Sequence, residues 1–237
     1  MSPNKGSSKQ ELNSADLRFQ WREEVAEAPA FSSQKVASQE APTWSSSESV
    51  FSAAMTKLNF LEKTLTLPNR NLGFSEFCRE ILIALAEAIP SAAGAIFELD
   101  ADREFLFFRA TLGESADQVL SIEVPSDRGV FGHVLETREA ILITTAQSNE
   151  LHLKSVGHAV GYEAKNLMAA PIMIRGRVFG VVELLDRMGE PTYLQEDLEL
   201  FRDLAGFSAS LIETRLTLSF ALQALAAENR STEERAA

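Results

Sequence analysis

Cysteine is nearly absent: the 237-residue chain has one, Cys78. A single thiol excludes a disulfide framework, a zinc site built on cysteines and an iron–sulfur cluster. Basic charge is scarce as well. Twenty-two Lys and Arg stand against 34 Asp and Glu, a formal net charge of -12, so no basic footprint exists to displace counterions from nucleic acid. No apolar run approaches the ~20 residues that cross a bilayer. Residues 1–16 are polar and lack the apolar stretch of a signal peptide. These absences point to a cytoplasmic protein with neither a nucleic-acid nor a membrane partner. No Ser-His-Asp grouping, phosphate loop or metal-ligand cluster stands out, so neither a catalytic residue nor a metal site is expected, and the chain reads as a non-enzyme.

What is present is unevenly distributed. Residues 1–49 are Ser-rich and poor in aliphatic side chains, a composition that cannot offset its ordering entropy and predicts a disordered tail. Within it Leu12, Leu17, Phe19, Trp21 and Val25 are either incidental or a short amphipathic motif (residues 12–25) that docks on a separate signalling protein or folds back. Residues 50–73 read as a helix and linker. Phe51, Met55, Leu58, Leu61 and Leu65 step by three and four, and Pro68, Asn69, Asn71 and Gly73 break the pattern. Ser75 is placed to N-cap a further helix reaching about Ile89, with Phe77, Ile81, Leu82, Leu85 and Ile89 on one stripe. Cys78 lies inside that helix and reads as a small buried residue.

Two β-rich runs, AGAIFEL and EFLFFRATLG, flank an Asp-containing turn. With Ala101 and Asp102 as the turn, Glu98 lies opposite Phe105 and Ile96 opposite Phe107. Alternation then gathers Ala95, Phe97, Leu99, Leu106 and Phe108 on one apolar face, expected to hold helices. The opposite face, with Glu98, Arg109, Ile96, Phe105 and Phe107, is expected to line a pocket. Further strands are predicted at QVLSIEV, AILIT, NLMAAPIMI and VFGVVELLD, with a short helix at GVFGHVLE and a tight Arg175-Gly176-Arg177 hairpin. Residues 146–165 are polar and aperiodic. The sum is an α+β domain with one six-stranded, mainly antiparallel sheet flanked by helices.

A long helix is predicted from Leu194 to about Glu228. Phe201, Leu204, Ser208, Leu211, Arg215, Leu218, Leu222 and Leu225 alternate steps of three and four along it, a heptad seam with two polar interruptions. At ~1.5 Å per residue it reaches ~50 Å, more than a domain of this size covers. Its second half, the extension over residues 216–237, needs another surface, most simply a second copy. Phe201, Leu204, Leu211, Leu218, Leu222 and Leu225 are therefore the candidate dimer interface, with a looser bundle against the 50–67 helix as the alternative. The acidic C-terminal helix would also favour a basic signalling partner.

Residues 74–215 resemble the GAF domains of signalling proteins. The resemblance rests on the order of GAIFELDADREFLFFRATLG, VPSDRGVFGHVLETREAILI, GYEAKNLMAAPIMIRGRVFGVVELLDR and YLQEDLELFRDLA. Gly129 and Gly132 match the family's Gly-x-x-Gly helix start; Asn166, Leu167 and Pro171 match its Pro-containing strand, and Gly180-Val181 opens the hairpin partner. Asp186, Arg187, Tyr193 and Asp197 stand where nucleotide-binding relatives carry Asn-Lys, Phe and Asp, a motif that supports the site rather than touching ligand. The resemblance implies a pocket under residues 146–165, with Glu98, Phe105, Phe107, Arg109, Phe131, Thr145, His152, His158, Tyr162, Asn166 and Glu183 as candidate ligand-binding residues. A lone Cys78 cannot supply the bilin-attaching or methionine-sulfoxide-reducing chemistries of Cys-bearing relatives. No cofactor is expected, with haem and a cyclic nucleotide as the alternatives. The implied function is a non-catalytic small-molecule sensor relaying through a homodimer of terminal helices. The alternative is a ligand-free docking scaffold whose pocket its own Phe105, Phe107, Phe131 and Tyr162 fill.

Overall fold

In a computed structural model that describes residues 47–113, 123–127, 129–146 and 163–236, the elements follow in this order. The helices are α1 (Ser47–Thr64), α2 (Phe74–Ala88), α3 (Gly129–Thr137) and α4 (Gln195–Ala236), with a 3-10 turn at Leu67–Asn69. The strands are β1 (Ser91–Leu99), β2 (Phe105–Leu112), β3 (Glu123–Pro125), β4 (Ile141–Ile143), β5 (Leu167–Ile174) and β6 (Arg177–Arg187). They form one sheet in the order β3-β2-β1-β6-β5-β4, every neighbour antiparallel. The motif at 12–25, His152, His158 and Tyr162 lie outside the described residues.

Local chemistry sets the turns. Arg175 and Gly176 both have positive φ, 49° and 76°, the geometry whose twist suits a two-residue hairpin between β5 and β6. The β1–β2 hairpin is longer than the expected Ala101-Asp102 turn. The Asp100 carboxylate accepts from the amides of Glu104 (2.8 Å) and Phe105 (3.1 Å), and the Asp100 amide bonds the Phe105 carbonyl at 3.0 Å. This closes the loop two residues later, so Glu98 pairs with Phe107 rather than Phe105, and Ile96 with Ala110. Helix α2 is capped by extended Gly73, whose carbonyl accepts from Phe77 at 2.8 Å, and not by Ser75, which is already helical.

The sheet is buried on both faces, and this reverses the expected assignment of helix side and pocket side. Ala95, Phe97, Leu99, Leu106 and Phe108 do share a face, but their apolar cluster is completed by Val130, Phe131 and Val134 of α3. The long helices cover the other face. There Phe77, Ile81, Leu82 and Leu85 of α2 and Phe201, Leu204, Ala205 and Ile212 of α4 pack with Ile96, Ala170, Ile172, Val182 and Leu184. A β-bulge between Ile96 and Phe97 leaves Arg109 without a strand partner, and its Nε reaches the Glu98 carboxylate at 2.6 Å. Cys78 is buried in the helix-side core. Burial pushes its thiol pKa up, and the nearby Glu98 charge adds to the effect.

Helix α1 turns Ala53, Phe60 and Thr64 inward, while Phe51, Met55, Leu58 and Leu65 of the expected stripe face outward. Lys57 pairs with Asp203 of α4, and Lys63 with Glu87 of α2. Helix α4 is longer than predicted, 42 residues. Its seam divides at Arg215. Phe201, Leu204 and Leu211 are buried in their own domain, which removes them from the dimer interface; Leu222 and Leu225 stay exposed. Both polar interruptions have partners: the Ser208 hydroxyl donates to the Leu204 carbonyl at 2.8 Å, and the Arg215 guanidinium donates to the carbonyls of Pro68, Arg70 and Leu72. Arg215 thus ties the 3-10 turn to α4. Arg215→Ala should cost about 1–3 kcal/mol in urea unfolding, since one charged donor satisfies three carbonyls; a loss under ~0.5 kcal/mol would show the turn held by packing alone.

Candidate functional site

The α3 side of the sheet carries one carboxylate, Glu183, among the described positions of β1, β5 and β6. Glu183 pairs with Ala95 on one side and Ala169 on the other, and alternation points all three to the same face. Around it Phe97 lies 4.4 Å from Phe108 and 4.6 Å from Phe131 between ring centroids, with Leu167 and Val181 in the same cluster, and the buried Thr111 pairs with Ala95 on the same face. Desolvation raises the Glu183 pKa from an ordinary 4.5 to about 8. At neutral pH the carboxyl is therefore mostly protonated, able both to donate and to accept a hydrogen bond, and a cationic group brought against it would favour the ionised form.

Of the other expected ligand residues, Phe131 shares this face. Glu98, Phe105, Phe107 and Arg109 do not: alternation from Leu106 and Phe108 turns them toward α2, and Glu98 and Arg109 answer each other there. Thr145 is exposed just past β4. Asn166 is buried and already engaged, its Oδ1 accepting from the Arg187 amide at 3.0 Å and its Nδ2 donating to the Pro191 carbonyl at 3.4 Å. That commitment takes it out of the ligand set.

Asn166 belongs to a latch at the end of β6. Asp186 adopts a left-handed φ of 56°, and its Oδ1 accepts from the amides of Lys165 (2.6 Å) and Asn166 (3.2 Å). Arg187 donates through Nε to Asp197 at 3.2 Å and through a terminal nitrogen to the carbonyls of Pro90 and Met188. Asp197 Oδ2 also accepts from the Leu194 amide at 3.0 Å, capping α4. The Tyr193 hydroxyl donates to Ser91 at 2.7 Å. The four residues matched to the family signature thus join β1, β6, the start of α4 and the strand entry at Lys165. The alanine pair around Glu183 and the place of Ser91 escape a sequence reading, because only cross-strand register brings them together.

The glycines of the motif have steric reasons. Gly129 has φ 64°; a Cβ on Gly132 would lie 2.6 Å from the Asp127 backbone, and one on Gly180 only 1.9 Å from the Phe97 carbonyl oxygen. Among the described residues, no group of three or more His, Cys, Asp or Glu could hold a metal, and no helix is long and apolar enough to cross a membrane.

A six-stranded antiparallel sheet with long helices on one face and a short helix beside Glu183 on the other defines an α+β domain. The GAF domain family model matches residues 71–213, and the chain belongs to that family, whose domains are signalling and ligand-binding modules. The chain is similar to the rod cGMP-specific 3',5'-cyclic phosphodiesterase subunit alpha of Canis lupus familiaris, 29% identical over 99 residues, 42% of this chain and 11% of that protein. It is also similar to the probable 3',5'-cyclic phosphodiesterase pde-5 of Caenorhabditis elegans, 30% identical over 84 residues, 35% of this chain and 11% of that one. The chain spans about a tenth of the length of these relatives. Among solved structures, the GAF domain of a phosphoenolpyruvate-protein phosphotransferase from Coxiella burnetii superposes with a TM-score of 0.58 at 22% identity, covering 67% of this chain and 94% of that one. The free methionine-R-sulfoxide reductase of Neisseria meningitidis superposes with a TM-score of 0.57 at 15% identity, covering 72% and 93%. These superpositions establish the fold.

Proposed function

We propose that this GAF domain is a non-catalytic cytoplasmic sensor that binds a small molecule against the Glu183 face of the sheet. Binding biases the packing of the terminal helices in a homodimer, and a separate signalling protein reads the result. The observation that carries this reading is Glu183 itself: a carboxyl set between two alanines in an apolar face, where desolvation holds its pKa near 8. A carboxyl so placed costs stability unless something answers it, and a ligand with an amine or another donor would do so. The non-catalytic reading is supported by Cys78, the only thiol, which is buried on the opposite face with a raised pKa.

The rod phosphodiesterase relative is named for cGMP, so cyclic nucleotides belong in the test beside amines, amino acids, nitrate and haem. In a thermal-shift screen of the full chain, a true ligand at 100 times its Kd adds about 2.7 kcal/mol of stability, and Glu183→Gln should lower that affinity tenfold or more. A second reading, a ligand-free scaffold, draws on the Phe97–Phe108–Phe131 cluster that already packs this face. Silence across the screen in both wild type and variant would select it.

A further inference from the structure

The outer side of α1 carries an apolar stripe. Phe51, Met55, Leu58 and Leu65 lie on it with Val50 beside them, and Phe51 is 68% and Leu65 66% exposed. Ala53, Phe60 and Thr64 face the core instead, so the stripe has no cover among the described residues. Acid borders it. Glu62 falls on the stripe between Leu58 and Leu65 and is exposed. The Lys57–Asp203 contact joins α1 to α4. Glu199 stands one turn before Asp203, and Glu196 three residues earlier, on the same side of α4. Glu196 is exposed, whereas the Glu199 Oε2 atom is buried with no hydrogen-bond partner among the described residues. A carboxylate oxygen in that state calls for an added donor.

We propose that residues 17–22 of the same chain, Leu-Arg-Phe-Gln-Trp-Arg, dock on this surface, with Leu17 and Trp21 against the α1 stripe and Arg18 and Arg22 toward Glu62 and Glu199. The inference stands apart from the ligand and homodimer readings above. Charge favours this occupant. The hexapeptide holds no acid and carries the only arginines before Arg70, and a guanidinium answers a carboxylate with paired donors. A second copy of α1 would bring another Glu62 instead. Spacing agrees: Leu17 and Trp21 are four apart, as are Arg18 and Arg22. In a helical turn the apolar pair and the basic pair lie side by side, as the α1 stripe and the α4 acids do. Area points the same way. The five outward side chains present on the order of 500 Å², short of the ~800 Å² per partner of a standard interface. A short segment suits it better, since one Trp alone buries about 150–250 Å². Length permits the contact: 24 residues, 23–46, separate Arg22 from Ser47. A flexible chain of that length spans roughly 25–30 Å, close to the ~27 Å of the 18-residue α1. A tether of this kind gives an effective concentration near ~1 mM, so contacts too weak for a free peptide suffice. Docked there, the segment covers α1 until a competing partner displaces it.

Trp21 and Trp44 are the only tryptophans, so Trp44→Phe in the full chain leaves Trp21 as the sole reporter. Its emission should be blue-shifted from that of the urea-unfolded chain and weakly quenched by acrylamide, and dilution should change neither. In that background Leu58→Asp and, separately, Glu199→Arg should each move the emission to the red and raise quenching severalfold. Cooperative thermal unfolding should be kept, because neither side chain belongs to the core. Emission already equal to that of the unfolded chain overturns the docking. A blue shift lost on dilution assigns the segment to a second copy and overturns the same-chain contact. A blue shift that survives either substitution places Trp21 elsewhere and overturns this surface.

Discussion

Gly180→Ala is expected to cost about 3–5 kcal/mol of stability, near the top of the range for single substitutions. The added methyl would lie 1.9 Å from the Phe97 carbonyl oxygen, 2.9 Å from the Phe97 carbonyl carbon and 3.1 Å from the Glu98 Cα. All three are backbone atoms of the neighbouring strand and cannot rotate away. Gly180 sits on β6 between Glu98 of β1 and Ile172 of β5, so relief requires moving a strand at the centre of the sheet and losing ladder hydrogen bonds. Equilibrium urea unfolding measures the loss. Gly206→Ala is the internal contrast: nothing lies within 4 Å of its added Cβ, it is inside α4, and the change should stabilise by about 0.5–1 kcal/mol. A Gly180→Ala protein within about 1 kcal/mol of wild type would mean the sheet yields at this point.

Glu183→Gln should raise stability at pH 8 by about 3 kcal/mol and leave it unchanged near pH 4. The folded-state pKa is raised to about 8 from an ordinary 4.5, so between these values the folded chain binds the extra proton and stability falls as pH rises. The cost is absent below about 4.5, grows through the interval and is complete above about 8. The full shift would correspond to ~5 kcal/mol at 1.36 kcal/mol per unit, and the partial exposure of the side chain reduces it. A glutamine cannot ionise and flattens the profile. Urea unfolding of both proteins from pH 4 to 9 reads the difference directly; parallel profiles would show that Glu183 ionises normally, and the ligand argument built on it would fall with that result.

The elements themselves were largely legible in the sequence. The Arg175-Gly176 turn, the α3 sequence GVFGHVLE and the paired runs of β5 and β6 each carry local signals strong enough to place them, and the motif order fixed the fold. The side of the sheet was not legible. Both faces are apolar, one through Phe97 and Phe108 and the other through Ile96, Ala170 and Val182, and alternation separates faces without saying which helices cover them. The Arg109 bulge and the Asp100 loop then shifted the pairing in ways no periodicity records. As a result Glu98 and Arg109 became an internal pair, while Glu183 kept its place on the site face. Asn166 illustrates a different limit: its type suits a ligand contact equally well, and only the left-handed turn at Asp186 commits it to the backbone of Arg187. On α1 the sequence showed an apolar stripe but not its direction, because Ala53 and Thr64 are too small and too polar to announce a buried face.

The continuity of α4 has a mechanical consequence. One unbroken helix of 42 residues is about 63 Å of rod at ~1.5 Å per residue, with Arg215 dividing it near the middle. Its first half packs on the strands, Ala221 to Arg230 are exposed, and the Arg215 contacts lie between the two. A tilt of ~5° there would swing the free end, ~31 Å away, by roughly 3 Å. The sheet-side arm, Gln195 to Arg215, is of nearly the same length, so the free end moves as far as the sheet-side end and in the opposite direction.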